Sequence, residues 1–228
     1  GENDGLPGLV LDVYNKKAVL KLYSSIWFPY LEDILQEIVE VADLDAVILR
    51  MSRNVADKET KYTEGQILWG NLDSSEVIFK EYGVQFKTDL IKGHKTGFFL
   101  DHRENRQEVG KMIKGKTVLD VFSYSGGFTT HALVGGATEV TSIDFSEQAL
   151  ALAEENVRLN PHAGKHNTIA GDAFEILRRK IQEKKKYDIV ILDPPSFANS
   201  QDQIDIAKKK YAELADLGAR LTNKGGVL

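Results

Sequence analysis

The chain of 228 residues contains no cysteine, which excludes disulfides, thiolate metal ligands and thiol nucleophiles from these residues. It has neither an apolar run long enough to cross a bilayer nor the pattern of a signal peptide, so we expect a cytoplasmic protein. The formal net charge of -5 argues mildly against a large phosphate-binding face. The 5 histidines lack the spacing of metal ligands, so no metal site is predicted. His162 and His166 fall in a polar segment and are expected to face solvent.

The first region, residues 1–94, has the pattern of a small α+β domain. Apolar and polar residues that alternate on either side of short turns predict two hairpins. Apolar residues at helical spacing predict a helix between the hairpins. The predicted elements are strands at 9–14, 18–23, 46–51, 76–80 and 84–87, a helix at 26–41, and an exposed loop at 52–62. We place a domain boundary after residue 94.

The second region, residues 95–228, alternates between strands and helices. Such alternation predicts an α/β domain with a parallel, doubly wound, Rossmann-like sheet. The predicted strands lie at 117–122, 139–144, 168–170 and 187–193 and begin again at 227, and the predicted helices lie at 101–112, 128–134, 146–160, 172–184 and 204–221. Because the chain stops inside the predicted fifth strand, we expect it to be a fragment of a longer one.

Four of the predicted strands carry an aspartate at or near their carboxyl end: Asp120, Asp144, Asp172 and Asp193. In an open α/β sheet the carboxyl ends of the strands meet at one edge, and ligands bind there. We therefore expect the four acids to line one rim. A helix cap explains Asp172 equally well, because aspartate is favoured at that position.

The segment Ser125-Gly126-Gly127 lets the backbone approach a ligand closely and turns the first strand into a helix. It lacks the G-x-G-x-x-G spacing that seats a pyrophosphate, which disfavours a nicotinamide dehydrogenase. S-adenosylmethionine has no phosphate, carries two cationic groups and tolerates acids nearby. Asp144 can accept both ribose hydroxyls of this cofactor, and Asp172 can accept from its adenine amino group.

Asp193 is followed by Pro194 and Pro195. The two prolines make the backbone rigid at the carboxyl end of the fourth strand, and neither has a backbone N–H to donate. Their carbonyls remain available to a planar base or amine, on which Phe197 could stack. The alternative is a rigid turn followed by a core phenylalanine. Because this segment follows an acid-tipped strand, we favour the functional interpretation.

A basic and aromatic segment opens the second region. Lys95, Arg103 and Arg106 could hold an anion such as the methionine carboxylate. Phe98 or Phe99 could cover the adenine or the sulfonium. A core strand followed by an exposed start of a helix explains the same residues equally well.

Six motifs together resemble the large-subunit ribosomal RNA cytosine-C5 methyltransferases. They are K-T-G-F-F-L-D-H-R at 95–103, D-V-F-S-Y-S-G-G-F at 120–128, S-I-D at 142–144, G-D-A-F at 171–174, L-D-P-P-S-F at 192–197 and G-E-N-D-G-L-P-G at 1–8. The resemblance implies a class I methyltransferase domain behind a central domain at 1–94, with an N-terminal PUA domain preceding both. It also implies S-adenosylmethionine as cofactor, 23S ribosomal RNA as partner and methyl transfer to a base.

The resemblance implies cytosine C5 as the acceptor, and a similar group methylates guanine N7. C5 chemistry needs a thiolate that attacks C6, and the family carries that cysteine after the fifth strand, beyond Leu228. The residues predicted to bind cofactor are Phe99, Arg103, Asp120, Ser123, Tyr124, Ser125, Gly126, Asp144, Phe145, Asp172, Ala173 and Asp193. The residues predicted at the reacting base are Asp193, Pro194, Pro195 and Phe197.

Two other classes of protein remain as alternatives. One is a class I methyltransferase that acts on a small molecule or a protein, against which the extra N-terminal domain argues. The other is a non-catalytic RNA-binding protein that keeps the fold, against which the four-acid rim argues. The sequence leaves a homodimer open.

Overall fold

The computed structural model describes residues 1–58, 60–93, 96–198 and 200–228. The chain divides into two compact units, residues 1–101 and 102–228. The domain boundary drawn from the sequence after residue 94 falls next to undescribed residues and stays a prediction.

The first unit contains a mixed four-stranded sheet and a separate hairpin. The sheet has the order β1-β2-β3-β4, in which β2 and β3 are parallel and the outer pairs are antiparallel. The elements are β1 (Leu9–Tyr14), β2 (Lys17–Leu22), α1 (Leu31–Ala42), β3 (Ala46–Met51), α2 (Arg53–Ala56), β4 (Ile67–Gly70), β5 (Glu76–Glu81) and β6 (Val84–Asp89). The hairpin is formed by β5 and β6.

Three local predictions for the first unit are wrong. The predicted helix at 26–41 begins as a 3-10 helix, Ser25–Tyr30, and becomes α-helical only at Leu31. Pro29 lies in the 3-10 segment, and it has no N–H with which to join an α-helical ladder. The short helix α2 lies in the predicted loop, and β4 was not predicted at all.

The second unit is a five-stranded parallel sheet with the order β11-β10-β7-β8-β9. Its elements are α3 (Arg103–Met112), β7 (Thr117–Val121), α4 (Gly127–Val134), β8 (Glu139–Asp144), α5 (Glu147–Arg158), β9 (Lys165–Ala170), α6 (Ala173–Gln182), β10 (Tyr187–Leu192), α7 (Ile204–Leu221) and β11 (Thr222–Val227). The predicted fold class, a Rossmann-like parallel sheet with a small N-terminal α+β region, is confirmed.

The centre of this sheet is buried because helices pack against it. The side chains of Val118, Leu119 and Val121 in β7 are all fully buried and belong to two core clusters. A near-continuous apolar run is the expected sequence of a parallel strand covered on both faces. The central strand β7 therefore ends at a fixed place, and the loop after it starts from a rigid base.

The last strand begins earlier than predicted. β11 starts at Thr222, directly after α7, instead of at residue 227. Its register with β10 is irregular, and Gly225 has a φ of 80° within the irregularity. Asn223 donates from its side chain to Asp188 Oδ1 at 2.9 Å, so polar residues hold the start of this strand.

Candidate functional site

The loop after β7 has an unusual backbone. Phe122, Tyr124 and Gly126 have positive φ angles of 64°, 47° and 75°. For the two aromatic residues this conformation costs about 1–2 kcal/mol each. Backbone hydrogen bonds compensate, because Ser123 N donates to Ile143 O at 3.0 Å and Gly126 N donates to Ser123 O at 2.8 Å. The loop is therefore held in one shape against the end of β8, as is common at binding sites.

Helix α5 fixes the other side of this loop. A Cβ added to Gly126 would lie 2.7 Å from Ala153 Cβ, closer than such carbons approach. The side chain of Asn156 donates to Ser125 O at 2.9 Å, and Asn156 is fully buried. The glycine is required both by its positive φ and by the close approach of α5.

Asp144 ends β8 with both of its carboxylate oxygens oriented by backbone amides. Oδ2 accepts from Tyr124 N at 2.8 Å, and Oδ1 accepts from Ser146 N at 2.9 Å. Each carboxylate oxygen has a second lone pair, so the group can still accept two hydroxyls from a ligand. The side chain of Ser146 in turn caps α5, because its Oγ accepts from Ala149 N at 3.2 Å.

Asp120 is the buried member of the acid group, with 1% of its surface exposed. Its Oδ2 accepts from Thr129 N at 3.1 Å and from Thr129 Oγ1 at 2.6 Å, while Oδ1 has no partner among the described residues. The pKa of Asp120 is raised to about 6, mainly by burial and also by the charges of Asp193 and Asp144, while the Thr129 bonds lower it. The three acids are thus close enough to influence one another.

Asp172 combines the two roles that were considered for it. It caps α6, because its Oδ1 accepts from Glu175 N at 3.0 Å. It also lines, together with Asp144, a cleft of about 430 Å³ at the carboxyl edge of the sheet. The helix cap and the rim position therefore both apply.

The cleft collects part of the predicted site. Its lining residues are Phe122, Asp144, Phe145, Gly171, Asp172, Ala173, Phe174, Glu175, Arg178, Phe197, Lys210 and Glu213. Five of the predicted site residues lie there, namely Asp144, Phe145, Asp172, Ala173 and Phe197. Asp120, Ser123, Tyr124, Ser125, Gly126, Arg103, Asp193, Pro194 and Pro195 are not among the lining residues. Both carboxylates and aromatic rings line the cleft.

The segment after β10 stands at the same edge. Asp193 N donates to Val121 O at 3.4 Å, which ties the segment to the end of β7. The exposed carboxylate of Asp193 has Oδ1 3.8 Å from His102 Nε2. Phe197 packs on Tyr211 with ring centroids 4.7 Å apart and also lines the cleft, and its stacking on a base stays a prediction.

The basic and aromatic segment before α3 is only partly described. Lys95 lies outside the described residues. Arg103 is exposed and pairs with Glu104 at 2.8 Å, whereas Arg106 is only 3% exposed. Phe98 is buried in the core of the first unit, and Phe99 is half-buried in that unit.

Several residues of the site were not predicted. Arg178 of α6 forms an ion pair with Glu213 of α7 at the rim of the cleft. Lys210 of α7 has Nζ 5.6 Å from the centroid of the Phe197 ring. Lys210 and Glu213 are three residues apart in one helix, and this spacing on a common face was the available signal.

Among the described residues, no group of three or more His, Cys, Asp or Glu side chains could hold a metal ion. Within the same ranges no helix is both long and apolar enough to span a membrane.

A family model for S-adenosylmethionine-dependent methyltransferases matches residues 50–226. The chain belongs to this family. It is 44% identical to a ribosomal RNA large subunit methyltransferase of Deinococcus radiodurans, over 100% of this chain and 57% of that protein. It is 36% identical to the ribosomal RNA large subunit methyltransferase I of Shewanella frigidimarina, over 100% of this chain and 57% of that protein.

A solved methyltransferase in complex with S-adenosylhomocysteine (SAH) has a TM-score of 0.82 and 26% identity, covering 99% of this chain and 58% of that chain. The chain therefore spans a little over half the length of the relatives it matches. The expected methyltransferase class and cofactor are confirmed at the level of the family, whose cofactor is S-adenosylmethionine.

Proposed function

We propose that the intact protein transfers a methyl group from S-adenosylmethionine to a base of large-subunit ribosomal RNA. The observation that carries the proposal is the cleft of about 430 Å³ that brings Asp144 and Asp172 together at the carboxyl edge of the sheet. The two relatives reported above are named ribosomal RNA large subunit methyltransferases.

The residues at this edge fit a cationic nucleoside. The buried Oδ1 of Asp120 and Oγ of Ser123 have no partners among the described residues, and an uncompensated buried polar atom is costly unless a ligand satisfies it. The nearby charges of Asp144 and Asp193 add negative potential, which favours a cation. When bound, the cofactor supplies the activated methyl group.

The proposed cofactor contacts follow from these positions. Asp144 accepts the ribose hydroxyls, because its oxygens are already oriented by backbone amides. Asp172 accepts from the adenine amino group beside Ala173, and the exposed ring of Phe145 covers the base. The loop at 123–126 supplies backbone groups to the rest of the cofactor. Arg103 and Phe99 are assigned by the family resemblance, as contacts to the carboxylate and to the sulfonium or adenine.

The segment after β10 is proposed to hold the acceptor base. Asp193 is exposed and bonds the ring edge of the base, the carbonyls of Pro194 and Pro195 are fixed by the proline rings, and Phe197 provides an aromatic surface. The base must leave its stack to reach the methyl group. These groups act by position and orientation.

We propose cytosine C5 as the methylated atom, on the basis of the family resemblance. This chemistry requires a thiolate at C6 of the base. The 228 residues contain no cysteine, so C5 transfer requires a thiol from outside them. Guanine N7, whose methylation needs no thiolate, is the second candidate.

Cofactor binding is tested by calorimetry of SAH on the intact protein and on Asp144→Ala. We expect a loss of about tenfold to a hundredfold in affinity, because a hydrogen bond to a charged group contributes about 1.5–3 kcal/mol. Asp205→Ala is the matched control, since Asp205 is an exposed aspartate of α7 that pairs with Lys208 at 3.6 Å. Equal affinity of Asp144→Ala and the unsubstituted protein would contradict the proposed ribose contact.

The acceptor is tested with labelled S-adenosylmethionine and fragments of large-subunit ribosomal RNA. Mass analysis of the digested nucleosides separates 5-methylcytidine from 7-methylguanosine. Affinity for the RNA should fall steeply as salt is added. Methylation of a protein or small molecule, with no transfer to RNA, would refute the proposed acceptor, and binding of RNA without any transfer would support a non-catalytic protein instead.

A further inference from the structure

A continuous line of hydrogen bonds crosses the sheet from Asp120 to His166. Thr129 Oγ1 lies 2.6 Å from Asp120 Oδ2, Ser142 Oγ lies 2.7 Å from Thr129 Oγ1, and His166 Nε2 lies 2.9 Å from Ser142 Oγ. The four residues come from β7, α4, β8 and β9 in that order. The line therefore connects the acid of the proposed cofactor site with a histidine on the edge strand of the sheet.

The count of donors and acceptors fixes the direction of this line. An ionised Asp120 can only accept, so Thr129 donates its hydroxyl proton to Oδ2 and must then accept from Ser142. Ser142 donates its hydroxyl proton to Thr129 and must therefore accept from His166. His166 must consequently carry a proton on Nε2, either as that neutral tautomer or as the imidazolium.

Water does not substitute for these partners in the centre of the line. Asp120 is 1% exposed, and Thr129 and Ser142 are fully buried. A buried donor or acceptor that loses its partner keeps the full cost of desolvation. The removal of any one of these groups therefore leaves its neighbour in the line buried without a hydrogen-bond partner.

We propose that Thr129, Ser142 and His166 are positioning residues, which hold Asp120 as an oriented carboxylate whose Oδ1 remains free for the cation of the cofactor. This inference rests on the proposed function, because the ligand of Oδ1 is the proposed cofactor. His166 acts at a distance, through the two hydroxyls, and touches neither cofactor nor base.

The surroundings of the two ends agree with this assignment. At one end, burial raises the pKa of Asp120 to about 6, and Asp193 and Asp144 add to the effect, so donors that favour the carboxylate are needed. At the other end, burial lowers the pKa of His166, against the charge of Glu154 and together with His162. Glu154 is itself 3.8 Å from Arg158. Near neutral pH the neutral His166 can therefore donate from Nε2.

The direction of the line is tested first without cofactor. Nitrogen-15 NMR of the histidine side chains of the intact protein at pH 8 should show His166 protonated on Nε2. In Ser142→Ala the acceptor is gone, and the Nδ1-protonated form should gain population. A neutral His166 with its proton on Nδ1 in the unsubstituted protein would overturn the proposal.

The effect on Asp120 is tested by the pH dependence of S-adenosylmethionine binding. Ser142→Ala and Thr129→Val weaken the donor to Asp120, so they should raise its pKa and move the midpoint of binding to higher pH. We expect about a threefold to tenfold loss of affinity near neutral pH for Ser142→Ala and about tenfold or more for Thr129→Val, while Thr129→Ser, which keeps the hydroxyl, restores the midpoint.

Thr168→Val is the matched control. Thr168 is a hydroxyl residue of β9 that donates to Glu154 at 2.9 Å and lies outside the line. Thr168→Val should leave the pH midpoint of S-adenosylmethionine binding unchanged. A uniform loss of affinity with an unchanged midpoint in both Ser142→Ala and Thr129→Val would show a merely structural role and overturn the proposal. If the unsubstituted protein binds no S-adenosylmethionine, the proposed function fails and the positioning role fails with it, whereas the NMR result alone still decides the direction of the line.

Discussion

Gly126 joins the loop after β7 to α4, and two separate physical effects act on it. Its φ of 75° is one that a residue with a Cβ adopts at a cost of about 1–2 kcal/mol. An added Cβ would also lie 2.7 Å from Ala153 Cβ and 3.1 Å from Ala153 Cα. Overpacking of a well-packed interior costs about 1–3 kcal/mol. Gly126→Ala is therefore expected to lower the free energy of unfolding by about 2–5 kcal/mol.

Gly115→Ala separates the two effects. Gly115 lies in the same unit and has a φ of 76°, but nothing lies within 4 Å of an added Cβ. This variant should show the backbone cost alone, about 1–2 kcal/mol. Urea denaturation followed by circular dichroism measures both variants against the unsubstituted protein. If Gly126→Ala costs no more than Gly115→Ala, α5 does not constrain the loop and the packing argument fails.

The other predictions concern Asp120 and Phe145. The pKa of Asp120 in the fold, about 6, lies above its ordinary value of 3.8, so ionisation of Asp120 removes stability as pH rises through this interval. The stability of Asp120→Asn relative to the unsubstituted protein should therefore increase by up to about 3 kcal/mol between pH 4 and pH 7.5, and a difference independent of pH in urea denaturation would contradict the burial argument. Phe145 is 83% exposed and lines the cleft, so Phe145→Ala should weaken SAH binding by about tenfold in calorimetry, with the free energy of unfolding changed by less than about 0.5 kcal/mol. Tyr30→Ala removes another exposed aromatic ring, in the first unit, and should change neither quantity.

The sequence predicted the central strands of the second unit well because burial there is nearly complete. The strands β7 and β8 carry an acid near and at their carboxyl ends, Asp120 one residue before the end of β7 and Asp144 at the end of β8. The caps of α5 and α6 are also features that a sequence can predict, because Ser146 and Asp172 each bond a backbone amide nearby in the chain. Local chemistry and uninterrupted burial are the two signals that a single sequence carries reliably.

The edge of the sheet was predicted less well. β9 begins at Lys165 and is mostly half-exposed, so only its last residues had a strand pattern. His166 was accordingly placed in a polar segment facing solvent, and that prediction is wrong, because its Nε2 bonds Ser142 inside the unit. The ion pair between Arg178 and Glu213 could not be predicted from the sequence. The two residues are far apart in the chain and meet because α6 packs on α7.

The features that cost stability in the second unit share one location. The positive φ angles of Phe122 and Tyr124, the buried carboxylate of Asp120 and the hydroxyl of Ser123, which has no partner among the described residues, all lie between residues 120 and 124 at the end of β7. None of them improves packing, and each would be removed by a substitution that favours the fold. Strain and unsatisfied polar atoms persist where the surrounding structure is strong enough to hold them. Since the hydrogen-bond line from His166 and the contacts of α5 do hold them, these costly features are the ones expected of a loop that binds the proposed cationic cofactor.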